Sequence, residues 1–300
     1  MISTKKNQPS EDVSNVADSS TSSDTSLPTT LDLYRIFNDT GDISSNSRSI
    51  YNYLAETFPW EDWTLMNYGF LNKNTDMKKI NVTNINHNTA SYYSILLYAA
   101  VVDDIVLQNL DVLEVGCGRG GGCAWISRTL MPHSILGVDY SESGIELCQK
   151  IHSHIPNLRF EQGNAEHLSC LNDSFDVVIN VESSHCYPSM ERFLSEVYRV
   201  LKPGGYFLWA DFRDSGQENV VLEQFKTSGL EIIEQVDITE NVVLALHKTR
   251  EDRLNFLKQL PKEHQEKFEE WLDNPSLKNN YAFYWRYKCK KALVPLLCCA

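Results

Sequence analysis

No stretch of 18 consecutive apolar residues occurs in the 300-residue sequence, so an ordinary membrane-spanning helix is not expected. The opening residues MISTKKNQPS contain no apolar core, which argues against a secretory leader and for a cytoplasmic protein. Basic residues are in deficit: 27 Lys and Arg stand against 40 Asp and Glu, a net charge of −13. No basic cluster offsets this in the first 250 residues, so nucleic acid is not an expected partner. Paired Cys-x-x-Cys arms are also missing. The eight cysteines, at 117, 123, 148, 170, 186, 289, 298 and 299, belong to a chain long enough to bury a core without staples. They read as free thiols, and no metal site is expected. Residues 1–30 have no aromatic side chain and thirteen Ser or Thr, a composition that cannot offset the entropy of ordering. That stretch is expected to be a disordered tail.

What is present begins with aromatic, helix-spaced residues. Tyr34, Phe37, Ile50, Tyr53, Leu54 and Phe58 suggest helical pieces, and ASYYSILLYAAVVDDIVL suggests an amphipathic lead-in helix. Residues 31–110 are thus expected to form an N-terminal helical cap. From Asp111 the rhythm becomes strand, loop, helix: DVLEVGC, GCAWISRTLM, SILGVDYS, SESGIELCQKIHSHI, NLRFEQGNA, SFDVVINVE. SMERFLSEVYRVLKPG reads as a helix stopped by Pro203 and Gly204, followed by the strand GYFLWADFR. A helix around NVVLEQFKTSG and a sixth strand, LEIIEQVDI, come next. Such alternation predicts an α/β fold with a mostly parallel sheet covered on both faces. The main domain is expected over 111–292, with a helical insertion at about 240–280 built on Leu244, Leu254, Leu257, Phe268 and Trp271. YAFYWRYKCKK reads as a last strand at or near a sheet edge, and 293–300 as a short apolar tail.

The strongest chemical signal is LEVGCGRGGG. Gly116, Gly118 and Gly120 follow an apolar strand and precede a helix, where missing β-carbons let the backbone approach a ligand. Asp139 closes the second strand 23 residues after Gly116, near the spacing at which a carboxylate takes a ribose hydroxyl pair. Gly116, Gly118 and Gly121 also fit a dinucleotide pattern. Glu114 argues against that choice: a carboxylate repels phosphate but accepts hydrogen bonds from an ammonium. S-adenosylmethionine carries an ammonium and no phosphate.

WTLMNYGF, VLEVGCGRGGG, VINVESSHCY and LKPGGYFLWADFR together resemble the class I S-adenosylmethionine-dependent methyltransferases of the methyltransferase domain 11 group. The nearer resemblance is to the bacterial phthiotriol/phenolphthiocerol dimycocerosate methyltransferases and fatty-acid O-methyltransferases, over about residues 60–290. It implies a Rossmann-like seven-stranded sheet with N-terminal and inserted helical cap elements. It also implies that Glu114, Gly116, Cys117 and Gly118 hold the methionine part of the cofactor, Asp139 the ribose and Tyr140 the adenine. Gly163, Asn164, Ala165 and Glu166 stand where the family has G-D-A-E. Asn164 would then meet the adenine amino group without a charge, or else only cap a turn. Asn180 is placed at the cofactor, and Glu182 and His185 at the edge facing the transferable methyl. His185 would orient or deprotonate the acceptor, Tyr68 would lie near the sulfonium or shape the methyl channel, and Cys186 is not needed. The same residues have structural readings: His185 as a buried packing histidine, Tyr68 as a cap-core aromatic.

The implied reaction is methyl transfer to a small, lipophilic acceptor, as O-methylation of a carboxylate or hydroxyl. N- or C-methylation, a NAD-dependent oxidoreductase and a non-catalytic cofactor-binding scaffold are the alternatives. Trp60, Trp63, Trp209 and Trp271 read as core or lid residues, and Phe212 and Arg213 as pocket wall, with Arg213 able to pair with a substrate carboxylate. Arg286, Lys288, Lys290 and Lys291 precede the tail ALVPLLCCA. They allow a peripheral membrane contact, with Cys298 and Cys299 as acylation sites, or a plain strand end.

Overall fold

The computed structural model describes residues 43–72, 89–262, 265 and 282–293. The expected tail at 1–30, together with Tyr34, Phe37, Phe268, Trp271, Cys298 and Cys299, lies outside the described residues. In chain order the elements are α1 (Ile43–Thr57), α2 (Ala90–Val102), β1 (Asp111–Val115), α3 (Gly121–Leu130), β2 (Ser134–Asp139), α4 (Glu142–His152), β3 (Leu158–Gln162) and β4 (Phe175–Val181). After a single helical turn at Ser184–Cys186 come α5 (Met190–Val200), β5 (Leu201–Asp214), α6 (Glu218–Thr227), β6 (Leu230–Asp237), α7 (Thr239–Lys248), α8 (Arg250–Leu257) and β7 (Ala282–Lys291).

The seven strands form one sheet in the order β3-β2-β1-β4-β5-β7-β6. The first five are parallel, and β7 runs antiparallel between β5 and β6. The sheet is therefore mostly parallel and doubly covered, as the alternation predicts. The order reverses between β1 and β2 on one side and β4 on the other, which opens a crevice at the carboxyl ends of those strands.

Two boundaries and the character of one helix differ from the sequence reading. α2 ends at Val102 because Asp103 takes φ of 52°, so DDIVL is not helical. The helix is not amphipathic either: Tyr92 through Tyr98 are all buried, as befits a helix enclosed by sheet and cap. α5 stops at Val200 rather than at Pro203, because Leu201 already pairs with Phe175 of β4.

β7 is one strand in from the edge, and its bases are engaged within the fold. Arg286 reaches Asp103 and Glu234, Lys288 reaches Asp103 and Asp104, and Lys291 reaches Asp173. Lys290 lies over the Tyr206 ring. These side chains do not form the open basic face that a membrane contact would need. Among the described residues, no helix is long and apolar enough to cross a membrane.

The cap is bolted to the glycine loop by Arg119. Its guanidinium donates to the carbonyls of Leu54, Phe58, Trp60 and Trp63 and stacks on the Trp63 ring at 4.6 Å. Burial pushes its pKa down to about 10, yet it stays charged. Around it Tyr53, Leu54 and Phe58 pack on Leu257 and Leu260, with Trp60, Trp63 and Phe256 against them. Arg119→Met leaves those carbonyls without their donor and is expected to cost about 2–4 kcal/mol. Thermal unfolding and limited proteolysis of the cap check this. An unchanged Tm with an intact cap would contradict it.

Candidate active site

β1 delivers the chain into a loop that only glycine can build. Gly116 has φ of 74°, and a β-carbon there would meet Ser183 Oγ at 2.2 Å and Tyr187 Oη at 2.7 Å. The Gly116 and Cys117 N–H groups donate to Val138 O, tying the loop to β2. Gly120, at φ of 76°, opens α3. Gly116→Ala is therefore expected to abolish cofactor binding and lower the Tm by several degrees (roughly 2–3 kcal/mol of strain and clash). Calorimetric titration with scanning calorimetry tests this; wild-type affinity in the variant would show that the loop does not cradle the ligand.

Asp139, at the end of β2, accepts from Gly118 N–H at 2.8 Å and from Ser141 N–H at 2.9 Å. Burial raises its carboxyl pKa, while these backbone donors act to lower it. Next to it Tyr140 lies under the Arg48 guanidinium at 4.9 Å. α1 crosses here: Asn52 Oδ1 accepts from Ser141 Oγ at 2.7 Å and Ser143 N–H at 3.3 Å. Tyr51 lines the cleft, with Cys186, Asp139, Tyr68 and Glu182 near enough to add to burial in raising its hydroxyl pKa.

The same cleft, about 1150 Å³ with its open mouth, runs on to the turn after β4. Glu182 sits there at φ of 47°. Its carboxylate accepts the Tyr68 N–H at 2.9 and 3.1 Å and the Tyr284 hydroxyl at 2.7 Å, and burial pushes its pKa up to about 7. Tyr68 belongs to a strap, residues 64–71, that is fastened from several sides. Arg253 donates to Tyr68 O at 3.0 Å, Asn241 bonds Leu71, and Asn67 and Ser94 exchange hydrogen bonds. His185 Nδ1 lies 2.8 Å from Asp211 Oδ1, and its ring stacks on Phe212 at 4.4 Å.

The structure brings Tyr68, Gly116, Cys117, Gly118, Asp139, Tyr140, Asn164, Ala165, Glu166, Glu182 and His185 to one cleft. Glu114 and Asn180 are one layer behind its wall. Glu114 is fully buried, accepts from Tyr98 Oη at 2.6 Å and Cys123 Sγ at 2.7 Å, and is pushed up to about 7 by burial. It lies outside the cleft lining, with its oxygens taken by Tyr98 and Cys123. Asn180 donates to Val115 O, Ser183 Oγ and Tyr187 Oη, which props the wall against Gly116. Asn164 accepts the Glu166 N–H at 2.8 Å, the turn-capping reading. The Glu166 carboxylate bonds Ser189 N–H and Arg192.

Phe212 lines the cleft, but Arg213 does not: it bonds Asp211, Ser184 and its neighbour's carbonyl. Trp60 and Trp63 pack in the cap and Trp209 in the core, so these tryptophans are not a pocket wall, whereas Tyr51 and Tyr68 are. Among the described residues no group of three or more His, Cys, Asp or Glu could hold a metal ion. Sequence reasoning missed Tyr51, Arg119, Ser183, Tyr187 and Asp211. Strand alternation in WADFR places Asp211 on the face opposite Phe212 but gives no sign of its partner His185.

Residues 113–209 match the methyltransferase domain family. The chain is 45% identical over 147 residues to the phthiotriol/phenolphthiotriol dimycocerosates methyltransferase of Mycobacterium leprae, covering 49% of this chain and 54% of that protein. It is 38% identical over 164 residues to the fatty-acid O-methyltransferase of Mycolicibacterium smegmatis, covering 55% and 58%. The matches thus span about half the length of these curated relatives. Among solved structures, the cyclase SpnF superposes with a TM-score of 0.67 at 17% identity, covering 84% of this chain and 97% of that one. Geranyl diphosphate C-methyltransferase from Streptomyces coelicolor gives 0.59 at 14%, covering 82% and 97%. These likenesses establish the Rossmann-like fold. Residues 113–209, from β1 into β5, are thus similar to the methyltransferase domain family.

Proposed function

We propose that this protein transfers a methyl group from S-adenosylmethionine to an oxygen atom of a small lipophilic acceptor. One observation carries this reading: a single cleft joins the glycine loop and Asp139 at one end to His185 and Glu182 at the other. The donor set fits the cofactor. Asp139 offers a carboxylate to a ribose diol and Tyr140 a ring beside the base. Among the described residues no lysine lines the cleft, the Arg119 guanidinium is turned onto carbonyl oxygens, and Arg48 lies over the Tyr140 ring rather than at the glycine loop. When bound, S-adenosylmethionine supplies a methyl group on a positively charged sulfur, an electrophile that needs no further activation.

The protein must align the acceptor, exclude water and manage one proton. Val181, Pro188 and Phe212 near the β4 turn, with Leu65 and Met66 against the glycine loop, give the cleft an apolar lining suited to a hydrocarbon chain. His185 takes the proton from a hydroxyl acceptor at Nε2, the ring nitrogen not engaged by Asp211. A carboxylate acceptor is a second reading, supported by the raised pKa of His185: an imidazolium would hold an anion in place. The relatives, named for methyl transfer to phthiotriols and fatty acids, support lipophilic acceptors of both kinds.

The test is calorimetric titration with S-adenosylmethionine, S-adenosylhomocysteine and NAD, followed by a labelled-methyl screen of fatty acids and hydrophobic alcohols. Binding of the first two alone, with label entering an ether or ester, is the expected result. Absence of binding by folded protein would overturn the reading and favour an interaction scaffold.

A further inference from the structure

We infer that Cys186 is a nucleophilic thiol that makes the cleft a covalent site for soft carbon electrophiles, of the class of α,β-unsaturated carbonyl compounds carrying a hydrocarbon chain. The inference goes beyond methyl transfer and needs neither cofactor nor acceptor. Six free cysteines fall among the described residues, and of these Cys117 and Cys186 line the cleft. Cys117 is buried in the glycine loop, where its side chain bonds those of Cys123 and Cys148. Cys186 is half-buried, in the single helical turn that follows β4. Its side chain bonds the His185 imidazole and the Ser47 side chain. The imidazole is itself held: Nδ1 lies 2.8 Å from Asp211 Oδ1, and one ring face rests on Phe212. Thiol and ring are thus fixed side by side on the cleft wall, the setting in which a cysteine becomes reactive.

The neighbours decide the charge on sulfur. Around it stand His185 from the same turn, Tyr187 just after it, Ser47 and Tyr51 from α1, and Asp211 from β5. Burial and the Asp211 charge disfavour a thiolate. His185 and the bond to Ser47 favour it, and the net direction is downward from the ordinary thiol value. The other five described cysteines go the opposite way. Burial pushes up Cys117, Cys123, Cys170 and Cys289, and a bond to Cys117 together with burial pushes up Cys148. The thiolate is the nucleophilic form, so the fold sets one reactive sulfur apart from five protected ones. Asp139 and Glu182 line the same cleft and disfavour an anionic reagent, while Val181, Pro188 and Phe212 suit a neutral one with an apolar chain. The addition balances without an oxidant. A sulfur lone pair forms the C–S bond at the β-carbon, and the C=C π pair moves onto the carbonyl oxygen as an enolate. The α-carbon then takes a proton, for which the His185 imidazolium is the source at hand. No group leaves.

Site-resolved mass spectrometry of the full chain tests the inference. Iodoacetamide is the titrating probe, and nonenal, a conjugated enal, is the probe of the class. The labelling rate of wild-type Cys186 across pH is expected to have its midpoint below the ordinary thiol value of about 8.5. Below that midpoint each unit of lowering raises the thiolate fraction about tenfold and cuts its intrinsic nucleophilicity about threefold, a net gain of about threefold. Cys186 should therefore alkylate at least about threefold faster than the half-buried Cys170 near about pH 6. His185→Gln should return the midpoint to the ordinary value or above and slow that labelling about 3–10-fold. With each enal scaled to its rate with N-acetylcysteine, nonenal should add to Cys186 faster than acrolein, which lacks the chain. An ordinary or raised midpoint in wild type, or no labelling of Cys186, overturns the inference even if the variant fails to fold. So does a folded His185→Gln with an unchanged midpoint. A scaled nonenal rate no greater than that of acrolein overturns the electrophile class. None of these readouts involves S-adenosylmethionine, so a failure of the functional reading would show separately.

Discussion

Asp139→Ala is expected to weaken binding of both S-adenosylmethionine and S-adenosylhomocysteine by about 10²–10⁴-fold. A carboxylate accepting two ribose hydroxyls makes two charge-assisted hydrogen bonds, each contributing about 1.5–3 kcal/mol. In the free protein Asp139 also accepts from Gly118 N–H and Ser141 N–H, so the alanine variant unhooks the glycine loop from the start of α4. The two effects add in the same direction. The loss should be equal for the two ligands, because they share the ribose and differ only at sulfur. Titration calorimetry reads both affinities, and circular dichroism with thermal unfolding verifies the fold. A folded variant that binds either ligand within about threefold of wild type would remove Asp139 from the cofactor site. A loss confined to S-adenosylmethionine would place Asp139 near the sulfonium instead.

The parts of this site that could be read from sequence are those whose signal is local. The glycine loop, Asp139 and the β4 turn each sit at a strand end, where apolar run, turn residues and polar group fall within ten residues of one another. That is why the sheet and the line Gly116–Asp139–His185 were visible in one dimension. Glu114 shows where local reading fails. It lies two residues before the loop, but the pleat turns it to the face it shares with Val112, under α2, where Tyr98 and Cys123 take its oxygens. Proximity in sequence to a ligand loop does not place a side chain on the ligand's face. Asp211 fails for the converse reason. It belongs to another strand and reaches His185 only because β5 pairs with β4, a contact across 26 positions of sequence. Tyr51 and Arg119 depend on how α1 docks, and no periodicity in either segment encodes that docking.

The cap changes what the fold can do. Arg119 joins the glycine loop to the residues after α1, and the strap is held by Glu182, Arg253 and Asn241 from three other elements. Glycine loop, strap and the turn after β4 therefore form one connected polar framework. Such a framework suits a reaction in which alignment and water exclusion supply most of the barrier reduction. The likeness to the cyclase SpnF is one of fold alone, and a fold does not fix a chemistry, so the reaction must be read from residues such as those at the His185 end of the cleft.

His185→Gln is the substitution that addresses that end. If His185 accepts the proton of a hydroxyl acceptor, kcat should fall about 10²–10⁴-fold while cofactor affinity holds within about threefold. The pH dependence gives the sign. Burial lowers the His185 pKa, but Cys186 and Asp211 outweigh it and raise it above its ordinary value, so the limb should lie at higher pH than an ordinary histidine would give. A base works only when neutral, so kcat should rise with pH through neutrality and level off once His185 has lost its proton. A carboxylate acceptor reverses the slope: the imidazolium would hold the anion, and KM would climb as pH rises through the same midpoint. Glu182, pushed up to about 7, titrates nearby and is the competing source of a rising limb. Its oxygens, however, are already taken by the Tyr68 N–H and the Tyr284 hydroxyl, which suits it to fastening the strap. Pre-steady-state methyl transfer measured across pH for wild type, His185→Gln and Glu182→Gln separates them. The rising limb should vanish in the first variant and persist, at whatever absolute rate, in the second. A limb that persists in His185→Gln and vanishes in Glu182→Gln would make Glu182 the proton acceptor and leave the imidazole as part of the wall.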